Sequence, residues 1–90
     1  MNKGDLINKV AESADLTKAQ ATDAVNCVLD SVRDSLKEGD KAAILGFGTF
    51  SVTHKPERQG RNPRTGEAMT IKAKNVIKFK AGKELAASVN

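Results

Sequence analysis

The first forty residues repeat apolar side chains at the three- and four-residue spacing of amphipathic helices. A first short helix is predicted over the positions Leu6, Ile7, Val10, Ala11 and Ala14. Asn2 precedes it as a capping residue, and Asp5 lies in its first turn.

A longer second helix is predicted to begin at Thr17, because Thr17 and Gln20 have the spacing of a capping box. Its apolar stripe comprises Ala21, Ala24, Val25, Val28, Leu29, Val32 and Leu36. Gly39 follows as the left-handed residue that commonly ends a helix. Cys27 lies near the stripe and is interpreted as a small core or interface residue. Two helices joined by so few residues are expected to form an antiparallel hairpin.

The period changes to two after residue 41. Residues 42–45 are predicted to form a short strand and residues 46–48 a tight turn, after which Phe50 and Val52 alternate with polar side chains in a half-buried strand. Residues 70–74 predict a further strand with one apolar and one cationic face. Residues 76–79 are expected to return to the core. Residues 82–89 are expected to form a short helix with Leu85 and Val89 facing inward.

A core-free segment separates the two longer strands. Residues 54–68 contain no Val, Ile, Leu or Phe, and Asn62-Pro63 followed by Gly66 is a strong turn signal. The pattern predicts a β-hairpin that extends roughly 25 Å past the core and turns near Pro63. Because an isolated two-stranded ribbon is barely stable in water, we expect a mobile arm over about residues 53–70 in the free protein.

These elements predict one α+β domain over residues 1–90. Residues 1–40 form a helical dimerisation part, residues 41–82 a three-stranded antiparallel sheet with the arm, and residues 83–90 a C-terminal helix. A domain this small buries only about 60–65% of its unfolded surface. A single Cys excludes a disulfide framework, and one Cys with one His argues against a zinc site. Dimerisation is the remaining common way to stabilise such a chain.

The net charge of +4 is unevenly distributed. Residues 1–45 carry six Lys or Arg against eight Asp or Glu, whereas residues 46–90 carry nine against three. This asymmetry indicates a polyanion-binding surface in the second half, with an ordinary solvated basic surface as the alternative. The single Cys fits a reducing, intracellular setting, and no signal peptide or membrane span is expected.

The arm carries most of the candidate chemistry. Its cations are Lys55, Arg58, Arg61 and Arg64, against Glu57 and Glu67. The planar arginine fork suits phosphate and groove contacts, and a two-stranded ribbon is narrow enough to enter a DNA groove. The apolar ring of Pro63 at the tip could wedge between base steps and kink the duplex. The alternative is a disordered solvated loop in which the proline only makes the turn.

A second basic group follows the arm and comprises Lys72, Lys74, Lys78, Lys80 and Lys83. Lys72 and Lys74 are expected to share one strand face, and Lys83 to lie near a helix N-terminus that attracts phosphate. Lys3 is a weaker candidate. Residues 46–48 lack the pattern of a nucleotide-binding loop, and His54 has no catalytic partner nearby. No enzymatic activity, cofactor or metal is therefore expected.

The run from Gly46 to Val52, with Arg58, Gly60-Arg61-Asn62-Pro63 and Thr65-Gly66, resembles the signature of the bacterial histone-like HU family, and the resemblance covers the whole chain. HU and integration host factor are among the proteins for which minor-groove architectural binding is described. The resemblance implies an intertwined dimer whose sheet forms a saddle and whose arms embrace double-stranded DNA. It implies that Arg58, Arg61, Asn62 and Pro63 contact or intercalate the minor groove and that Lys80 and Lys83 touch phosphates.

Four positions depart from the family pattern. Lys55 stands where Arg is common, Pro56 follows it and removes a ladder donor, Glu67 adds an anion that we expect Arg64 to offset, and Ala86 stands where many relatives carry Lys. These changes bear on the strength of binding rather than on its mode.

The function that follows is a homodimeric, nearly sequence-independent DNA bender that compacts the bacterial nucleoid in the cytoplasm and prefers bent, nicked or gapped DNA. The first alternative is a sequence-preferring subunit of a heterodimer with a paralogue, similar to integration host factor. The second is an interaction protein whose basic arm binds an acidic protein or RNA.

Overall fold

The fold consists of three helices and five strands, and the computed structural model describes all residues, 1–90. The elements in chain order are α1 (Lys3–Ser13), α2 (Lys18–Lys37), β1 (Ala42–Ile44), β2 (Gly48–Lys55), β3 (Arg58–Arg61), β4 (Ala68–Ile71), β5 (Lys74–Ala81) and α3 (Lys83–Ser88). The α+β class, the helical hairpin and the short C-terminal helix predicted from the sequence are confirmed.

Both long helices begin at reciprocal capping boxes. The Thr17 hydroxyl accepts from the Gln20 amide at 3.1 Å, and the Gln20 side chain accepts from the Thr17 amide at 3.0 Å. Asn2 and Asp5 make the same pair of bonds at 2.8 and 3.1 Å, so Asp5 does more than lie in the first turn. Gly39 has a φ of +82° after the end of α2, as predicted.

The packed core lies between α1 and α2 and is small. Ile7, Ala21 and Val25 are its buried members, and Leu6, Val10, Ala11 and Leu16 pack around them. Only five of the ninety residues are buried. The accessible surface is 7514 Å², against about 5100 Å² expected for a folded monomer of this mass.

The sheet has the order β1-β2-β5 with antiparallel pairing, so the predicted three-stranded antiparallel sheet is confirmed. Beyond it, β3 and β4 form a separate two-stranded ribbon that pairs Arg58 with Ile71 and Arg61 with Ala68. The radius of gyration is 18.8 Å and the longest dimension 58 Å, whereas a compact chain of this length has a radius of about 12 Å. The ribbon is therefore an arm that projects from the body.

The arm differs from the prediction in being interrupted. The β2–β5 ladder ends at the pair Lys55–Lys74, and pairing resumes at Arg58–Ile71 in the same register. Pro56 lies in the gap, and because proline has no amide hydrogen it cannot continue the ladder. Lys72 lies in the gap on the other strand and is therefore not part of β5 with Lys74, so their shared strand face stays a prediction.

Two apolar assignments of single residues also differ from the structure. Val89 ends α3 and is 81% exposed, so it does not face inward in the single chain, whereas Leu85 is half-buried. Cys27 is exposed in the single chain, so of its two assignments the core is wrong and the interface stays a prediction. Val28 and Leu29 beside it are exposed as well, because nothing within this chain covers that side of α2.

Candidate nucleic-acid interface

The paired strands β2 and β5 present two different faces, because side chains alternate along a strand and directly opposed residues share a face. One face is mainly apolar and opposes Phe50 to Phe79 and Val52 to Ile77. The Phe79 ring packs on the rings of Phe50 and Phe47 at centroid distances of 4.7 and 5.5 Å. This face turns toward α2 and forms the inner side of the sheet.

The other face carries hydroxyls and lysines. It consists of Thr49, Ser51, Thr53 and Lys55 from β2 and of Lys74, Val76, Lys78 and Lys80 from β5. The register opposes Lys80 to Thr49 and Lys78 to Ser51. Lys78, a member of the second basic group predicted from the sequence, therefore lies on the same face as the candidate residues Lys74 and Lys80.

The arm ribbon carries its arginines on both faces. Gln59 and Arg61 share one face with Thr70 and Ala68, whereas Arg58 shares the other with Ile71. Gly60 lies on the Arg58 face, where an added Cβ would stand 2.9 Å from Cδ1 of Ile71. The ribbon is thus thin at its centre and can present a cation to either side of a groove.

The tip is a turn held by backbone hydrogen bonds and by the Asn62 side chain. The Asn62 amide donates to the Glu67 carbonyl at 2.9 Å, and the Gly66 amide donates to the Asn62 carbonyl at 2.8 Å. The Asn62 side-chain oxygen accepts from the Arg64 amide at 2.9 Å, so Asn62 also shapes the turn. Gly66 has a φ of +71°, the left-handed conformation that glycine tolerates. Pro63 is exposed at the end of the arm.

The cations of the arm and of the lysine face are free of internal ion pairs. The salt bridges of the structure both involve Arg33, which contacts Asp30 at 3.3 Å and Asp34 at 3.7 Å in the helical half. The expectation that Arg64 offsets Glu67 is wrong, because these two side chains form no ion pair. Free cations on a projecting ribbon are available to an external anion.

The remaining candidates lie at the two ends of the fold. Lys83 is the first residue of α3, directly after β5, and the amide of Gly82 donates to the Phe47 carbonyl at 2.8 Å. This bond fixes the start of α3 against the turn that connects β1 to β2. Lys3 is the first residue of α1, which packs on α2, so it is separate from the sheet lysines.

A hydrogen bond between two opposed side chains joins the two strands at the base of the arm, on the inner face. His54 and Asn75 are opposed in the register, and His54 Nδ1 lies 2.9 Å from Asn75 Oδ1. His54 is thus a strand residue at the arm base, as the sequence analysis expected. The tight turn covers residues 45–47, one residue earlier than expected, because β1 ends at Ile44 and Gly48 begins β2. The Phe47 amide donates to the Ile44 carbonyl at 3.0 Å in this turn.

An open apolar groove runs between α2 and the inner face of the sheet. Its apolar lining comprises Leu29, Val32, Leu36, Phe50, Val52 and Ile77. A second apolar cleft between α1 and α2 shares Leu29 and continues to Val28 and Val10. None of the helices is both long and apolar enough to cross a membrane.

The structure combines a helical base, a lysine-bearing sheet face and an arginine-bearing β-arm. These features are typical of small basic DNA-binding proteins, and comparison with known proteins gives the same class. The model of the family described as bacterial DNA-binding protein matches residues 1–90. The chain is 55% identical to HU-alpha of Vibrio proteolyticus over 85 residues, which is 94% of each protein. It is 51% identical to HU-beta of Escherichia coli K12 over 90 residues, which is all of both.

Solved structures agree. An Anabaena HU–DNA cocrystal structure matches with a TM-score of 0.88 and 42% identity over 99% of this chain and 97% of that one. HU from Thermotoga maritima matches with a TM-score of 0.72 and 30% identity over all of both chains. The chain therefore belongs to the bacterial DNA-binding protein family that includes HU, a family of histone-like architectural proteins.

Proposed function

We propose that this chain is a homodimeric architectural protein that binds double-stranded DNA with little sequence specificity, places its two arms in the minor groove and bends the duplex. The observation that carries the proposal is the division of one strand pair into an apolar face and a face of unpaired lysines that continues into an arginine-bearing arm. The proposed role is structural rather than catalytic, in the nucleoid of a bacterial cytoplasm.

The apolar surface supports the dimer. Ile77, which lines the α2 groove, is 63% exposed, and Val28, which lines the cleft between α1 and α2, is 59% exposed. Such exposure is costly for large apolar side chains. The surface exceeds that of a typical monomer of this mass by roughly 2400 Å², part of which belongs to the arm. Obligate dimers bury about 2000–5000 Å² in total, so a second copy on the α2 groove matches the exposed area.

The unpaired cations support DNA as the ligand. We assign phosphate and groove contacts on the arm to Lys55, Arg58, Arg61, Asn62 and Arg64, and phosphate contacts on the body to Lys72, Lys74, Lys80, Lys83 and, more weakly, Lys3. Backbone contacts of this kind carry little sequence information, which fits weak specificity. The relative from Anabaena was crystallised with DNA, which supports the same ligand for this chain.

Pro63 supports bending. An exposed apolar ring on a turn held by three hydrogen bonds is positioned to enter between base pairs and unstack them. Because unstacking costs a few kcal/mol per step, DNA that is already bent, nicked or gapped should bind more tightly. In the proposed division of labour, residues 1–40 and the inner face of the sheet form the dimer contact. The outer face of the sheet and the arm within residues 41–82 contact DNA, and residues 83–90 flank them.

The test is fluorescence-anisotropy titration of several duplexes of unrelated sequence at a series of salt concentrations, with the molecular mass of the free protein measured in parallel. We expect a dimer, and affinities that agree among sequences and fall steeply with salt, because counterion release dominates the free energy of binding. A folded monomer would contradict the dimer. Strong preference for one sequence would favour a subunit similar to integration host factor, and tighter binding to RNA or to an acidic protein would overturn DNA as the ligand.

A further inference from the structure

The last ladder pair before the gap in the arm consists of two lysines. Lys55 of β2 and Lys74 of β5 are opposed in the register on the lysine face. Directly opposed residues in an antiparallel pair have Cβ atoms about 4.5–5.5 Å apart, and like charges there destabilise the pairing. Both side chains are exposed, and neither forms an ion pair.

Neighbouring residues do not relieve this repulsion. The preceding pair on the same face, Thr53 and Val76, carries no charge. In the gap that follows, the preserved register opposes Glu57 to Lys72, yet Glu57 forms no ion pair with any cation. The two ammonium groups therefore face solvent together without a carboxylate between them.

The pairing cannot easily slip to separate the lysines. On the opposite face of the same strands, His54 and Asn75 are joined at 2.9 Å, and the apolar pairs Val52–Ile77 and Phe50–Phe79 follow toward the body. A shift of one residue would move these apolar side chains to the lysine face. The inner face thus holds the register that brings the two lysines together.

We infer that Lys55 and Lys74 together form a phosphate-binding site, and that a backbone phosphate of bound DNA, by accepting from both ammonium groups, stabilises the base of the arm. Each charge-assisted contact replaces a like-charge repulsion. Since DNA then favours the paired state, the base of the arm is weaker in the free protein and becomes ordered on binding. This inference rests on the proposed DNA-binding function and deepens it.

The test compares Lys74→Ala with Lys78→Ala, a matched control on the same strand face that is opposed to Ser51 rather than to a lysine. In the free protein at low salt, Lys74→Ala should slow amide hydrogen exchange of residues 53–55 and 74–76 by about two- to fivefold, because the repulsion is removed. Lys78→Ala should not slow it. High salt should erase the difference through screening.

Both variants should bind DNA more weakly than the wild-type chain, but only the effect of Lys74→Ala should depend on whether Lys55 is present. If one phosphate bridges both lysines, Lys74→Ala should cost clearly less affinity in a Lys55→Ala background than in the wild-type chain, whereas the cost of Lys78→Ala should be the same in both. Anisotropy titration of one duplex with the six chains measures this.

Stabilisation of the free arm together with weakened DNA binding is the expected signature, since a merely structural lysine would move both quantities in the same direction. Equal exchange in Lys74→Ala and Lys78→Ala, or fully additive losses of affinity, would overturn the phosphate site while leaving DNA binding intact. Failure of the wild-type chain to bind any duplex would overturn the proposed function and this site with it.

Discussion

The two faces of the β2–β5 pair are formed by the same two strands in one register, yet one face is mainly apolar and the other carries hydroxyls and lysines. The inner face carries Phe50, Val52, Ile77 and Phe79. The rings of Phe50 and Phe79 pack together, and Phe50, Val52 and Ile77 line the groove beside α2. The outer face carries Thr49, Ser51, Lys78 and Lys80, whose cations form no ion pairs. In the proposed function, one strand pair serves assembly through one face and an anionic ligand through the other, since alternation separates the two sets of side chains.

A charged side chain on the inner face should have the largest effect of the substitutions considered, because that face is the one proposed to form the dimer contact. We expect Ile77→Asp to destabilise the proposed dimer by about 3 kcal/mol or more, because Ile77, which is exposed in the single chain, would be covered by the second copy and the carboxylate would then be buried without a partner. Thr53→Asp places the same side chain on the outer face and should change stability by about 0.5 kcal/mol or less while weakening DNA binding. Sedimentation and thermal unfolding at several protein concentrations measure both, and equal loss of the dimer in the two variants would refute the division into faces.

Gly48 tests how tightly the inner face is packed. An added Cβ would lie 2.6 Å from both the Lys80 carbonyl oxygen and the Phe79 ring. We therefore expect Gly48→Ala to lower the free energy of unfolding by about 1–3 kcal/mol. Gly66→Ala is the contrasting variant, because its Cβ would meet nothing within 4 Å and only its left-handed φ opposes the change. Denaturant unfolding should show a smaller loss for Gly66→Ala, and the reverse order would contradict this packing.

Pro63 tests the bending function apart from the electrostatic one. Replacing it with alanine removes the apolar ring but no charge. We expect Pro63→Ala to reduce the preference for nicked over intact duplex by about tenfold, while the salt dependence of binding stays unchanged. Titration of both duplexes at two salt concentrations checks this, and an unchanged preference would mean that the ring does not act as a wedge.

The contribution of an unpaired arm arginine to DNA binding is tested by comparing Arg61 with Arg33, which forms ion pairs in the helical half. We expect Arg61→Ala to weaken binding several-fold and similarly on all duplex sequences, and to reduce the slope of log affinity against log salt by about 0.9. Arg33→Ala should leave both quantities unchanged, because Arg33 lies in the helical half between Asp30 and Asp34. A loss confined to one sequence would instead indicate direct reading of bases.

Local signals made much of the fold predictable from the sequence. The capping boxes at Asn2 and Thr17 and the left-handed Gly39 depend on residues within four positions of one another, so their spacing is sufficient to place the helix ends. The arm was predictable for the opposite reason, because a segment with nothing to bury cannot join a core. Its precise form was not, since the gap at Pro56 and Lys72 depends on the register between strands far apart in the chain.

The candidate site was predictable in composition but less so in arrangement. The sequence identified the arm cations, yet the faces on which they lie follow from cross-strand pairing, which adds Lys78 to the lysine face and opposes Lys55 to Lys74. Arg64 and Glu67 are close in sequence and still form no ion pair, and the Asn62 and Thr65 side chains accept from their backbone amides in the turn. The exposure of Val89 and Cys27 likewise depends on surfaces that a single chain leaves uncovered.

The most direct test of an electrostatic clamp that exploits kinks is to titrate a nicked duplex and its intact counterpart with the wild-type chain at low and moderate salt, with end-to-end energy transfer recorded in the same samples. We predict tighter binding to the nicked duplex, a shortened end-to-end distance in both complexes, and affinities that fall steeply with salt. Equal affinities with no change in end-to-end distance would contradict bending and leave only a non-specific basic binder.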